Sequence, residues 1–115
     1  DHGSMVCSKD GRRCSLTVDL SAGRAYRVQE GLYQTNPLSS AEESQFYSQN
    51  TVFTLSLHGS SLSLNEISQQ IGGGVTTRLW RRDITFSPGT HILTGQWLWN
   101  GKPIQTNTIT VRAEG

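Results

Sequence analysis

His58 is followed closely by Ser60 and Ser61, and an imidazole beside a hydroxyl is the raw material of a general base with its nucleophile. No Gly-x-Ser-x-Gly turn surrounds these serines and no acid stands where it would orient the imidazole, so His58-Gly59-Ser60-Ser61 reads as a turn between strands. Glu42 and Glu43 are adjacent carboxylates in a polar stretch and read as a solvated pair rather than an acid and base. Gly72-Gly73-Gly74 is not followed by Lys-Ser or Lys-Thr, which removes a phosphate cradle and leaves a turn or loop. Neither the cysteines nor the histidines have metal-ligand spacing. The expectation is therefore a protein without catalytic residues, metal or cofactor.

The two cysteines lie in Cys7-Ser8-Lys9-Asp10-Gly11-Arg12-Arg13-Cys14. A two-residue hairpin turn at Asp10-Gly11 places Lys9 opposite Arg12, Ser8 opposite Arg13 and Cys7 opposite Cys14, the last as a hydrogen-bonded pair. That mirror spacing predicts a disulfide, and a disulfide implies export to a periplasmic, cell-surface or extracellular space. The first residues, Asp1-His2-Gly3-Ser4, look like a tag remnant, so residues 1–5 are set apart and 6–115 are read as one domain.

A basic and aromatic group remains: Arg78, Trp80, Arg81 and Arg82 in one strand, with Trp97, Trp99 and Lys102 near the C-terminus. Tryptophan and arginine are favoured at interface hot spots. Trp80 and Trp97 are expected in the core, whereas Trp99, Lys102, Arg78, Arg81 and Arg82 are the candidate partner-binding residues. Tryptophans that stack on sugar rings would serve a carbohydrate-binding domain equally, although no accompanying carboxylates or amides can be placed beside them.

These side chains need a scaffold, and the chain signals strands throughout. Leu16, Val18 and Leu20 alternate with polar residues; Tyr26, Val28 and Leu32 share a face; Phe53, Leu55 and Leu57 follow, then Leu62 and Leu64. Trp80, Ile84 and Phe86 share another face with Arg82, which must leave it, by a bulge in the simplest reading. Between them Ser40 and Glu43 have capping-box spacing for one helical turn. The C-terminal stretch is an alternating run, an Asn100-Gly101 pair and a second run ending Thr108-Ile109-Thr110-Val111. Asn-Gly suits a type I′ turn, placing Trp99 opposite Lys102 and Trp97 opposite Ile104. About seven short antiparallel strands in 115 residues predict an all-β sandwich. A net charge of +1 offers no footprint for nucleic acid, and no apolar run is long enough for a membrane span.

Gly89-Thr90-His91-Ile92-Leu93 resembles the step that opens the penultimate strand of immunoglobulin-like domains, with His91 in the place of the tyrosine-corner residue and Leu93 in that of the core cysteine. With the terminal Thr-x-Thr-Val strand, the pattern is similar to many bacterial immunoglobulin-like domains. The resemblance implies a non-enzymatic protein-binding module of a bacterial envelope, surface or secretion assembly. The chain also resembles chagasin-type inhibitors of cysteine proteases, which present an Asn-Pro-Thr-Thr-Gly, a Gly-x-Gly-Gly and an Arg-Pro-Trp loop. Here Asn36-Pro37, Gly72-Gly73-Gly74 and Trp97-Leu98-Trp99 occur in that order. Leu38-Ser39-Ser40 stands in place of Thr-Thr-Gly, Ile71 in place of the first glycine, and there is no Arg-Pro-Trp.

Overall fold

The computed structural model describes residues 3–34, 51–71 and 75–115. Among these the chain is all-β: β1 (Val6–Cys7), β2 (Arg13–Ser21), β3 (Ala25–Gln34), β4 (Thr51–Leu57), β5 (Ser60–Leu62), β6 (Asn65–Ile71), β7 (Val75–Thr85), β8 (Gly89–Trp99) and β9 (Lys102–Glu114). They form a six-stranded sheet in the order β1-β2-β9-β8-β4-β5 and a three-stranded sheet in the order β3-β7-β6. The count exceeds the expected seven because β1 and β5, of two and three residues, are short edge additions. The sandwich is also not wholly antiparallel, since β2 runs parallel to β9. The expected capping box at Ser40 and Glu43, the carboxylates Glu42 and Glu43, Asn36-Pro37, Gly72-Gly73-Gly74 and His2 all lie outside the described residues.

The two sheets meet at a tryptophan pair. Trp80 of β7 and Trp97 of β8 pack edge to face with centroids 5.1 Å apart, and Phe53 of β4 lies 5.0 Å from Trp97, an arrangement favoured by the ring quadrupole. Gly95 leaves room for this cluster, because a Cβ there would stand 2.5 Å from the tip of the Phe53 ring. Leu93 and Val111 complete the buried centre. Both tryptophans expected in the core are there.

Asn100 and Gly101 have φ of 51° and 78°, the positive values a type I′ turn demands. Trp99 pairs with Lys102 as expected, but Trp97 pairs with Gln105 and not Ile104. The register shifts between Trp97 and Leu98, so Ile104 is the extra residue of a bulge and is exposed. Pro103, which has no N–H to give the ladder, stands beside that irregularity. His58 and Gly59 form a second turn with positive φ, and Ser60 and Ser61 belong to β5 rather than to the turn.

Cys7 and Cys14 are bridged, with Cα atoms 4.0 Å apart. Ser8 N donates to Arg13 O at 2.8 Å and Gly11 N to Ser8 O at 2.9 Å, so the loop spans Lys9–Arg12 rather than two residues. Lengthening the loop swaps the phase of the ladder. The cysteines become the closely spaced non-hydrogen-bonded pair, not the hydrogen-bonded pair expected from Asp10-Gly11 alone. Asp10 secures this loop by accepting from the Ser8 hydroxyl at 2.7 Å and the Arg12 backbone N–H at 3.0 Å, which hold its carboxyl below the usual carboxylate range.

Candidate functional site

Register places six strand termini together. Gln34 pairs with Thr76 and Ile71 with Val75 in the three-stranded sheet, while Thr51 pairs with Trp99 and Trp99 with Lys102 in the six-stranded sheet. Arg78 ties the two groups, its Nη1 donating to the Thr51 carbonyl at 3.1 Å. The connections 35–50, 72–74 and 100–101 therefore depart from one end of the sandwich.

Arg78 does not serve this end as a surface charge. It is 2% exposed, pairs through Nε and Nη2 with Glu66 Oε1, and its guanidinium lies 4.5 Å from the Trp80 ring centroid. Its place among the partner-binding residues is corrected: the alternation that put Trp80 in the core puts Arg78 there too. The buried charge is tolerated because a carboxylate, a carbonyl and an aromatic face replace its water. Arg82 is half-buried, and its Nη1 donates to the Ser63 carbonyl and hydroxyl, both at 3.1 Å. No register shift occurs in β7 near Arg82, so the expected bulge is absent and a lateral turn of the side chain toward Ser63 replaces it. Arg81 points to the other face of β7, opposite Gln29 and Asn65.

Trp99 is 38% exposed against 7% for Trp97. One pleat separates them, and the difference arises because Trp97 faces Trp80 whereas Trp99 sits at the last position before the turn. Lys102, its cross-strand partner, is exposed, and so is Ile104. Of the expected partner-binding residues, Trp99 and Lys102 share this end; the arginines are distributed among the core, the flank and the outer face.

The opposite end of the six-stranded sheet carries the histidines. His91 Nε2 lies 2.7 Å from the Ser87 carbonyl, four residues upstream. His58 Nε2 lies 2.8 Å from His91 Nδ1. A carbonyl only accepts, so His91 Nε2 carries hydrogen, and in neutral His91 the Nδ1 accepts from His58 Nε2–H. His58 thus bonds His91, not Ser60 or Ser61. Sequence reading missed this pair because its members are 33 residues apart. Among the described residues no group of three His, Cys, Asp or Glu side chains could hold a metal ion, and no helix is long and apolar enough to cross a membrane.

Glu30 is the other residue that sequence reading passed over. It shares the inward face of β3 with Tyr26, Val28 and Leu32 and is half-buried, which pushes its carboxyl above the usual range. The signal was present: position 30 continues the alternation from 26 and 28 to 32.

No family model and no curated protein sequence matches the chain. Among solved structures it is similar to the cysteine protease inhibitor EhICP2 from Entamoeba histolytica, with a TM-score of 0.49 at 12% identity, covering 95% of this chain and 93% of that one. At that level the likeness carries no functional argument.

Proposed function

We propose that residues 6–115 form a non-enzymatic, immunoglobulin-like module that binds another protein through the end bearing Trp99. The observation that carries this reading is the gathering of three connections at one end beside a large, partly exposed indole. An aromatic ring left at the surface is accounted for when a partner covers it. Lys102 adds a charge at the rim, with Trp99 as the anchor. The Cys7–Cys14 disulfide supports export to an oxidising compartment. The finer setting, a bacterial envelope, surface or secretion assembly, rests on the resemblance of residues 89–111 alone. The test compares two exposed apolar positions on β8. A partner retained by the wild type should be lost by Trp99→Ala and kept by Ile92→Ala, which lies toward the far end of the strand. Retention by Trp99→Ala with loss by Ile92→Ala would move the binding surface elsewhere.

A second reading, inhibition of papain-type cysteine proteases, is favoured by one specific observation. Asn36-Pro37, Gly72-Gly73-Gly74 and the Trp99 turn belong to the three connections whose flanking strands end together, as a three-loop inhibitor requires. Loops held by a rigid sandwich lose little entropy on binding, so inhibition of papain in the nanomolar range is expected. Full papain activity at micromolar protein would dismiss this reading and leave the first standing. Carbohydrate binding, the third reading, is favoured by no specific observation of this kind.

A further inference from the structure

Three strands cannot cover six. Among the described residues the three-stranded sheet lies over the middle of its partner, and on the β2 side the inner face borders a cleft of about 580 Å³ between β2, β9 and β3. Leu16, Val18, Leu20 and Ile109 line one wall, with Gly3 and Met5 also bordering it. Of these, Leu16, Leu20 and Ile109 are only partly buried.

The other wall is the rim of β3. Five consecutive residues, Tyr26 to Glu30, border the cleft. Successive side chains of a strand point to opposite faces, so a cavity touching five in a row reaches the strand's edge and not just one face. Among the described residues β3 pairs with β7 on one side and with no strand on the other. An unpaired edge presents a row of backbone donors and acceptors, a template for another extended chain.

One charge faces the trough. Glu30 lies among Tyr26, Val28 and Leu32 on the inward face and makes no hydrogen bond or ion pair with a described residue. Arg27, which also borders the cleft, turns the other way to Asp83 at 3.2 Å. A half-buried carboxylate with no counterion among the described residues is complementary to an ammonium or guanidinium group brought by the occupant.

We propose that this cleft accepts an extended segment of a partner protein as an added strand on β3. Apolar side chains at alternate positions of that segment fill the trough against Leu16, Val18 and Ile109, and one lysine or arginine reaches Glu30. Each element of the site selects one feature of the ligand: the edge of β3 from Arg27 to Glu30 selects extended backbone, the aliphatic wall selects period-two apolar side chains, and Glu30 selects a single cation among them. The cleft lies on the flank of the sandwich, apart from the Trp99 end, so this inference does not depend on the function proposed above.

The test uses capped synthetic peptides of sequence Thr-Val-Thr-Lys-Thr-Val-Thr-Leu-Thr, its Lys→Glu counterpart and its Lys→norleucine counterpart. Backbone amide NMR shifts of the whole chain are followed during titration. The lysine peptide should perturb and protect amides of β3 and shift residues around Leu16, Val18 and Ile109, while leaving Trp99 unmoved. The glutamate peptide should bind about tenfold more weakly, and Glu30→Gln should remove most of that discrimination. The peptide comparison is made on the unaltered protein, so it stands even where the variant is perturbed. Absence of binding at millimolar peptide, equal affinity for all three peptides, or shifts centred on the Trp99 turn would overturn the proposal. Concentration-dependent shifts of the β3 amides without peptide would assign the edge to a second copy of this chain and overturn it as well.

Discussion

The middle of the sandwich and its β2–β3 flank are built from the same residue types yet reach different degrees of closure. At the centre Trp80, Trp97 and Phe53 bring both sheets into contact. On the flank Leu16, Leu20, Val28 and Ile109 point inward with the same period-two regularity and remain partly exposed. The sequence patterns are equivalent; the number of strands available to lie opposite is not. Burial is therefore a property of the facing sheet as much as of the residue.

The sharpest way to break this comparison is to delete an apolar side chain from each region. Trp97→Ala should cost about 3–5 kcal/mol in denaturant unfolding, since it empties the cluster shared by both sheets. Leu16→Ala, already half in solvent, should cost about 1 kcal/mol. Equal losses would mean that the flank is closed in solution. Next in size is Arg78→Met, which leaves the Thr51 carbonyl and Glu66 without their buried donor and should cost about 2–3 kcal/mol in the same measurement. A neutral result would place the guanidinium at the surface and restore it to the partner-binding group.

Removing the bridge with the double substitution Cys7→Ser and Cys14→Ser should cost about 2–3 kcal/mol, the value for a short loop in the chain-entropy account. Near-ultraviolet circular dichroism of the tryptophans should be retained, because the bridge fastens an edge remote from Trp80 and Trp97. The smallest effect is expected at Glu30. Its carboxyl ionises at higher pH in the folded protein than in the unfolded chain, so folding there holds a proton that the unfolded chain releases. Stability is accordingly lost as pH rises through that window, while Glu30→Gln has no such dependence. The variant should match the wild type in acid and exceed it slightly at neutral pH, measured by unfolding across pH. A wild type more stable than the variant at neutral pH would mean that the carboxylate has found a cation and that the trough is already occupied.

The legible and illegible parts of this chain differ in the range of the interaction that sets them. The disulfide was legible because its two cysteines bracket one loop, but the phase of their pairing was not, since a few hydrogen bonds lengthen that loop beyond Asp10-Gly11. The relative exposure of Trp97 and Trp99 followed from distance to the turn. Arg78 was misplaced because charge was weighed above alternation, and only the approach of Glu66 and the Thr51 carbonyl makes its burial tolerable.

By itself the sequence determined that the chain folds as strands, where the Asn100-Gly101 turn falls and which cysteines can meet. Period-two alternation and positive φ are properties of neighbouring residues. The tertiary structure alone decided the parallel pairing of β2 with β9, the bulge at Ile104, the contact between His58 and His91 and the position of Glu30 on the cleft beside β3. Each depends on what lies across a sheet or between sheets, and the chain acquires those neighbours only when segments distant in sequence pack together.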